Sequence, residues 1–385
     1  MKIALFVRDT GDTNLALETA KYLRQQGHQT VFISLSKTAE TLILNAAKLA
    51  LLQHKSIYEL LHCNPEVIKL QRCTHKQLVK IMKFLREEGI THVYLGVPSD
   101  QDNEITYQIA ERLRHTPLIV SEYMFRPPAT HKIWSHLPKL KQNPHLHWGV
   151  PLLPAQIDFD LGLDHTHHNG HLSIDRGIAP ITEDIPTIRK ELGIAADELL
   201  LVMSTVSAKR QDQISDDIAF LQTLLDELIR QPKVQLRLSL HPGIDDLDAY
   251  LAQLSDLYTN NGAPSRFQVI LQPALYKRLR NPEALHKNNA LFLYKNISGS
   301  QAVAAADYMS QAVPGGLLNE IAVRGKQVYT QLSPTEPPYL PSECFALSPA
   351  RFFSAGHRAT LTKSSLGLKE GVSAGQACAS ALLRR

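Results

Sequence analysis

The first part of the chain alternates short apolar runs with amphipathic segments. Residues 2–7 are continuously apolar, a polar turn follows, and apolar positions then recur at helical spacing until Gly27. A second apolar run at 30–35 completes a strand–helix–strand unit. Apolar runs without alternation are typical of parallel strands that are covered on both faces. Similar units follow as far as residue 121, so the pattern predicts a doubly wound α/β half.

The periodicity weakens in the middle of the chain and then returns. Residues 127–186 hold eight prolines and many histidines, a composition that favours an extended connector. Beyond this stretch, strand and helix patterns alternate again. We therefore predict an α/β protein with two Rossmann-like, parallel-sheet domains. We predict an N-terminal domain at 1–150, a connector at 151–186 and a C-terminal domain at 187–370. A tail helix at 371–385 is expected to cross back to the first domain.

Composition and charge narrow the class of protein. The 385 residues are 44% hydrophobic and 20% charged, which is typical of a globular chain and excludes a disordered one. The net charge of +4 is too small to indicate nucleic-acid binding. No apolar run is long enough for a signal peptide or a membrane span, and the four cysteines show no C-x-x-C spacing. We expect a cytoplasmic protein with free thiols.

The clearest motif is a glycine pair between a predicted strand and a predicted helix. Gly315 and Gly316 would let backbone amides approach an anion, and the start of the helix adds a partial positive charge. Glu320 lies one turn further on, where its carboxylate could accept hydrogen bonds from a ribose diol. The alternative interpretation is a tight turn followed by a solvated glutamate.

This segment resembles the nucleotide-binding element of the GT-B glycosyltransferase superfamily and of the related hydrolysing UDP-sugar 2-epimerases. The shared features within 308–329 are a strand, a Gly-Gly turn, a helix with an acidic residue, and Gly-Lys before the last strand. The sequence departs from the family at Pro314, where Ser or His is frequent, and at Gln327, where Pro is usual. The resemblance implies a GT-B-like fold whose two domains face a cleft, with a nucleotide-sugar donor held mainly by the second domain.

A second group of candidate donor contacts follows the first strand of the second half. The loop after that strand contains Ser204, Lys209 and Arg210. Hydroxyl groups and cationic side chains suit an anion, and the resemblance implies that this loop carries a basic residue to the diphosphate. A solvated basic loop is the alternative.

Two further strand-end loops carry candidate donor-binding residues. His241 and Gly243 belong to a His-Pro-Gly sequence similar to the His-Pro element of bacterial sialyltransferase-type enzymes. That likeness implies that His241 meets the donor phosphate, although Pro-Gly also forms ordinary turns. Ser298 lies in the loop where the resemblance implies contact with the base, and it could equally be a helix N-cap.

The first half offers two candidate general bases. Asp12 and Asp100 both follow predicted strands, and the resemblance implies that this half binds the acceptor. Each aspartate could instead be a helix N-cap. The histidine-rich residues 165–171 suit either a metal site or a hinge or flap that contacts substrate. The sequence has no G-x-G-x-x-G or Walker A motif.

Taken with the resemblance, these residues predict a glycosyltransferase. It would move a sugar from a nucleotide-sugar to a hydroxyl group of a glycan or small-molecule acceptor, without a metal or other cofactor. We expect no nucleic-acid partner, and peripheral membrane association stays open. The alternatives are a UDP-sugar 2-epimerase or hydrolase on the same fold, and a non-catalytic bilobed protein that binds a nucleotide or a sugar.

Overall fold

The chain divides into two compact units in a computed structural model. The first unit combines Met1–Asp175 with Lys363–Arg385, and the second is Arg176–Thr362. The residues that the structure describes are 1–47, 52–64, 70–97, 102–121, 131–151, 165–205, 212–244, 246–260, 266–282, 290–312, 315–330, 340, 344–346, 348–354 and 360–384.

The first unit is built on one sheet of seven parallel strands. Their spatial order is β3-β2-β1-β4-β5-β6-β7, and each paired neighbour runs parallel. The strands are β1 (Lys2–Val7), β2 (Gln29–Ser34), β3 (Gln53–Ser56), β4 (His92–Gly96), β5 (Leu118–Ser121), β6 (Leu146–Val150) and β7 (Thr166–His168).

Helices pack on both faces of this sheet. Alternate residues of β1 enter different cores: Phe6 packs in one with Leu95 and Trp148, and Leu5 packs in the other with Tyr94. Burial on both faces explains why β1 is apolar throughout. The helices are α1 (Thr10–Gln25), α2 (Lys37–Ala47), α3 (Ile57–Leu61), α4 (His75–Glu87), α5 (Ile105–Arg112), α6 (Ile133–Leu140), α7 (Leu172–Ile178, which spans the division between the units) and α15 (Ala374–Leu382), with a short 3₁₀ helix at Ser364–Leu366.

The second unit contains a parallel sheet of six strands. Their order is β11-β10-β9-β8-β12-β13. The strands are β8 (Leu199–Ser204), β9 (Val234–Ser239), β10 (Phe267–Leu271), β11 (Phe292–Tyr294), β12 (Tyr308–Gln311) and β13 (Gln327–Thr330). The helices are α8 (Ile185–Glu191), α9 (Asp212–Leu228), α10 (Leu247–Asn260), α11 (Pro273–Tyr276), α12 (Gly299–Ala305), α13 (Gly316–Val323) and α14 (Pro349–Ser354).

The predicted fold class, two Rossmann-like parallel sheets, is confirmed. Cys63, Cys73 and Cys378 are free thiols, as expected. Three strands were not predicted: β3, β6 and β7. The sequences of β3 (QHKS) and β7 (THH) are polar because each is an edge strand, paired on one side only among the residues that the structure describes. An edge strand does not need the continuous apolar pattern of a central one. None of the described helices combines the length and the apolar character that crossing a membrane requires.

Candidate functional site

Three polar side chains form a row across the carboxyl end of the second sheet. Strand pairing places Ser204 of β8 beside Ser239 of β9. Ser310 of β12 pairs with Met203 of β8. The next residues of the two strands, Gln311 and Ser204, therefore lie side by side. All three row residues are buried. We call Ser204, Ser239 and Gln311 the polar row, and it lies where ligands of parallel α/β sheets bind.

The helix α13 starts directly above one end of the polar row. Gly315 is its N-cap and Gly316 its first residue. A Cβ atom on Gly315 would lie 2.9 Å from the Oε1 atom of Gln311, so a larger residue here would require the Gln311 amide to shift. Within the described residues, the Oε1 atom of Gln311 and the Oδ1 atom of Asn319 are buried without a hydrogen-bond partner. Buried acceptors of this kind suit a polar ligand.

Glu320 is not a solvated helix residue. It is 6% exposed, and its Oε1 atom lies 3.8 Å from the Nη2 atom of Arg324. Its Oε2 atom is buried and has no hydrogen-bond partner among the residues that the structure describes. Burial raises the pKa of Glu320, while the charges of Arg176 and Arg324 oppose the shift. The carboxyl group is thus paired with Arg324, and its Oε2 atom can still accept a hydrogen bond.

His241 is oriented by the loops after β8 and β9. Its backbone N–H donates to the Oγ1 atom of Thr205 at 2.7 Å, which ties the two loops together. The backbone N–H of Gly243 donates to its Nδ1 atom at 2.9 Å. Because Nδ1 accepts this bond, the neutral ring carries its proton on Nε2. The orientation of the His241 ring therefore depends on the backbone of Gly243.

The hydroxyl groups of the predicted serines make local bonds. Ser298 is the N-cap of α12, where its Oγ atom accepts the N–H of Gln301 at 3.2 Å. The Oγ atom of Ser204 donates to the carbonyl oxygen of Thr205 at 3.3 Å. The cap interpretation of Ser298 therefore describes its local bonding, and contact with a base stays a prediction. The adjacent Gly299 brings α12 to the polar row, since its Cβ would lie 3.2 Å from the Oγ atom of Ser239.

Asp12 lies at the start of α1 in the first unit and is only 1% exposed. Its Oδ2 and Oδ1 atoms accept the backbone N–H groups of Arg8 at 2.9 Å and of Asp9 at 2.7 Å. Burial, followed by the nearby charge of Asp9, raises the pKa of this carboxyl group well above its usual range. The close approach of β4 requires Gly96, whose Cβ would lie 2.3 Å from the Oδ2 atom. The carboxyl group thus stabilises the turn before α1 by accepting two backbone N–H groups. Its role as a general base stays a prediction.

The remaining predicted residues are Asp100, Lys209 and Arg210, and all three lie outside the described residues. Within the described part of the chain, no group of three or more His, Cys, Asp or Glu side chains is arranged to hold a metal ion.

The sequence analysis did not single out four residues that shape this region: Thr205, Ser239, Gln311 and Asn319. One signal could have found two of them. Ser239 and Gln311 are polar residues at the carboxyl ends of their strands, the edge where ligands of parallel sheets bind. Thr205 and Asn319 carry no comparable signal, because their importance depends on contacts with another loop and with the start of their own helix.

Comparisons with known proteins agree with this architecture. No protein-family model matches the chain, and no curated protein matches it. Among solved structures, a glycosyltransferase from Rickettsia africae aligns over 99% of this chain and 92% of its own, at 11% identity and a TM-score of 0.56. Anabaena HepE, in complex with UDP and glucose, aligns over 99% and 94%, at 16% identity and a TM-score of 0.54.

A UDP-GlcNAc 2-epimerase from Neisseria meningitidis, bound to UDP-GlcNAc, aligns over 98% of this chain and 97% of its own, at 10% identity and a TM-score of 0.51. At such low identity the likeness concerns the fold alone. With two all-parallel sheets, each covered by helices, the chain has the GT-B fold that glycosyltransferases and UDP-sugar 2-epimerases share.

Proposed function

We propose that the protein is a nucleotide-sugar-dependent glycosyltransferase that works without a metal ion. The observation that carries the proposal is the carboxyl end of the second sheet, where the polar row lies beneath the start of α13. The glycine pair leaves backbone N–H groups available to a diphosphate, and the helix start favours negative charge. These groups would stabilise the nucleoside diphosphate as it leaves.

Glu320 is the proposed contact for the ribose hydroxyl groups. Its buried Oε2 atom has no hydrogen-bond partner among the described residues, and leaving such an atom unsatisfied is costly. A ribose diol supplies the donor that this oxygen lacks. His241 is proposed to donate from Nε2 to a phosphate oxygen, since Nδ1 is already occupied by Gly243. Ser204, Lys209, Arg210 and Ser298 stay proposed donor contacts.

Of the two predicted general bases, Asp100 is the one that we propose deprotonates the acceptor hydroxyl group. A base must come within hydrogen-bond reach of the acceptor hydroxyl group, and Asp12 is enclosed and already accepts two backbone N–H groups. Activity that survives Asp100→Asn while Asp12→Asn abolishes it, with both variants folded, would reverse this assignment.

The test starts with calorimetric titration of UDP, GDP, CMP and dTDP into the protein. For the tightest of these ligands, Glu320→Gln should weaken binding by about 1.5–3 kcal/mol, the range of a hydrogen bond to a charged group. Glu191→Gln is the matched control, because Glu191 is an exposed acid on α8 of the same unit. Affinity should also fall as the pH drops through the raised pKa of Glu320, since the protonated group is a weaker acceptor. Equal affinity of the two variants would refute the role of Glu320.

Product analysis then separates the reactions that the fold supports. The corresponding nucleotide-sugar is incubated with and without a panel of acceptors that carry hydroxyl groups. Sugar transfer only in the presence of an acceptor supports the proposal. Release of an epimerised sugar without any acceptor would instead establish a 2-epimerase, an activity that the likeness to the Neisseria enzyme makes the second candidate. Binding without turnover of any donor would establish a binding protein.

A further inference from the structure

Three histidine side chains stack at the edge of the sheet in the first unit. Trp148 of β6 pairs with Thr166 of β7. His147 and His165 each come one residue earlier, so they lie opposite each other on the same face of the sheet. The ring of His147 stacks on His165, with centroids 5.0 Å apart and planes 22° apart, and on His167 at 5.1 Å and 18°. We call His147, His165 and His167 the histidine ladder.

The hydrogen bond within the ladder requires that one of its two facing ring nitrogens carries no proton. The Nδ1 atom of His147 lies 2.8 Å from the Nε2 atom of His167. One nitrogen donates and the other accepts, so a proton added to the acceptor removes the bond and leaves two N–H groups facing each other. Stacked rings at this spacing also repel when they become charged.

The groups around the ladder add to this repulsion. The Nη1 atom of Arg384, just beyond α15, lies 3.5 Å from the Nδ1 atom of His167. Among the described residues, the charges acting on His167 come from Arg384 and from other histidines on β6 and β7, namely His147, His165 and His168. Those acting on His147 come from His165, Arg384 and His145. Each of these groups disfavours a further positive charge.

Burial and these cations lower the pKa of His167 to about 4 and lower the pKa of His147 as well. Both rings are half-buried. In the unfolded chain a histidine takes up its proton near pH 6.5. Between about pH 6.5 and about pH 4, the histidines therefore bind fewer protons when β7 is paired with β6 than when it is released. The pairing of β7 is thus destabilised as the pH falls through that window.

The part of the fold that depends on the ladder is small. β7 has three residues, and within the described part of the chain it pairs only with β6. Backbone bonds hold it there, including Trp148 N–H to the carbonyl oxygen of His165 at 2.8 Å and Asn169 N–H to that of Val150 at 2.9 Å. A short edge strand of this kind can open without unfolding of the central strands.

We propose that the histidine ladder is an acid-sensitive latch, which holds β7 on the sheet while its rings are neutral and releases β7 when they are protonated. The ligand of the ladder is then the proton.

Hydrogen exchange of the full chain, followed by mass spectrometry, tests the latch. Exchange rates are corrected for the intrinsic effect of pH and compared at about pH 7.5 and about pH 5. For one ring whose pKa falls from 6.5 to about 4, linkage sets a ceiling of roughly 30-fold on the loss of protection at about pH 5. Solvent screening of a half-exposed ring reduces the expected loss in β7 to roughly tenfold, with little change in β1.

Variants link this loss to the ladder. His167→Gln and the double variant His147→Gln/His167→Gln should keep their β7 protection at the lower pH, because glutamine does not titrate. His115→Gln removes an exposed histidine of the same unit and should behave like the wild type. Three results would overturn the proposal: constant protection of β7 in the wild type, equal loss in β1, or an acid-dependent loss that persists in the double variant. The first two need no variant to fold.

Discussion

Replacing Asp12 tests whether its carboxyl group has a mainly structural task. Two backbone donors, the N–H groups of Arg8 and Asp9, reach its two oxygens at 2.9 and 2.7 Å, and the side chain is 1% exposed. A buried donor that loses its acceptor costs about 1–3 kcal/mol, so Asp12→Ala should lower the free energy of unfolding by about 2–6 kcal/mol. That is a large part of the stability of a typical domain. Asp12→Asn keeps one acceptor oxygen and should cost about half as much.

The assay is urea unfolding followed by tryptophan fluorescence. Both tryptophans, Trp134 and Trp148, belong to the first unit, so the signal reports on the unit that contains Asp12. Glu87→Gln is the matched control, because it removes an exposed acid at the end of α4. If Asp12→Ala shifts the transition no more than this control does, the carboxyl group does not hold the turn and the structural argument fails.

The pH dependence of the same transition gives an independent check. Burial raises the pKa of Asp12 in the folded state. The folded protein therefore binds the proton more tightly, and the contribution of this group to stability is complete below about pH 4 and is lost as the pH rises through the raised pKa. Asp12→Asn should remove that component. An unchanged pH profile in the variant would mean that Asp12 ionises as freely in the folded chain as in the unfolded one.

Two further substitutions probe close packing. Arg237→Met should destabilise the second unit by about 2–4 kcal/mol, because the buried guanidinium donates to the carbonyl oxygens of Leu192 and Arg266; circular dichroism during urea unfolding measures the loss, and a midpoint equal to wild type would contradict it. Gly375→Ala should loosen α15 from α1, because its Cβ would lie 2.7 Å from that of Glu18; faster proteolysis within α15 is expected, and an unchanged cleavage rate would show that the helices adjust.

The sequence was sufficient for the features that depend on local pattern. Central strands such as β1 are apolar because both of their faces are buried, and this pattern is visible without a structure. The turn at Gly315 and the helix α13 after it were also predicted, since paired glycines between a strand and a helix indicate a tight turn. The two parallel sheets follow from repeating these local signals.

Tertiary contacts decided what the candidate residues do. The sequence left open whether Glu320 is a ligand contact or a solvated helix residue, and packing buries it beside Arg324. The polar row depends on the register of three strands whose members are more than 30 residues apart in the chain. The ladder likewise joins His147 to a strand 20 residues later. Strand register, burial and electrostatic shifts arise between segments distant in sequence, so periodicity along the chain cannot contain them.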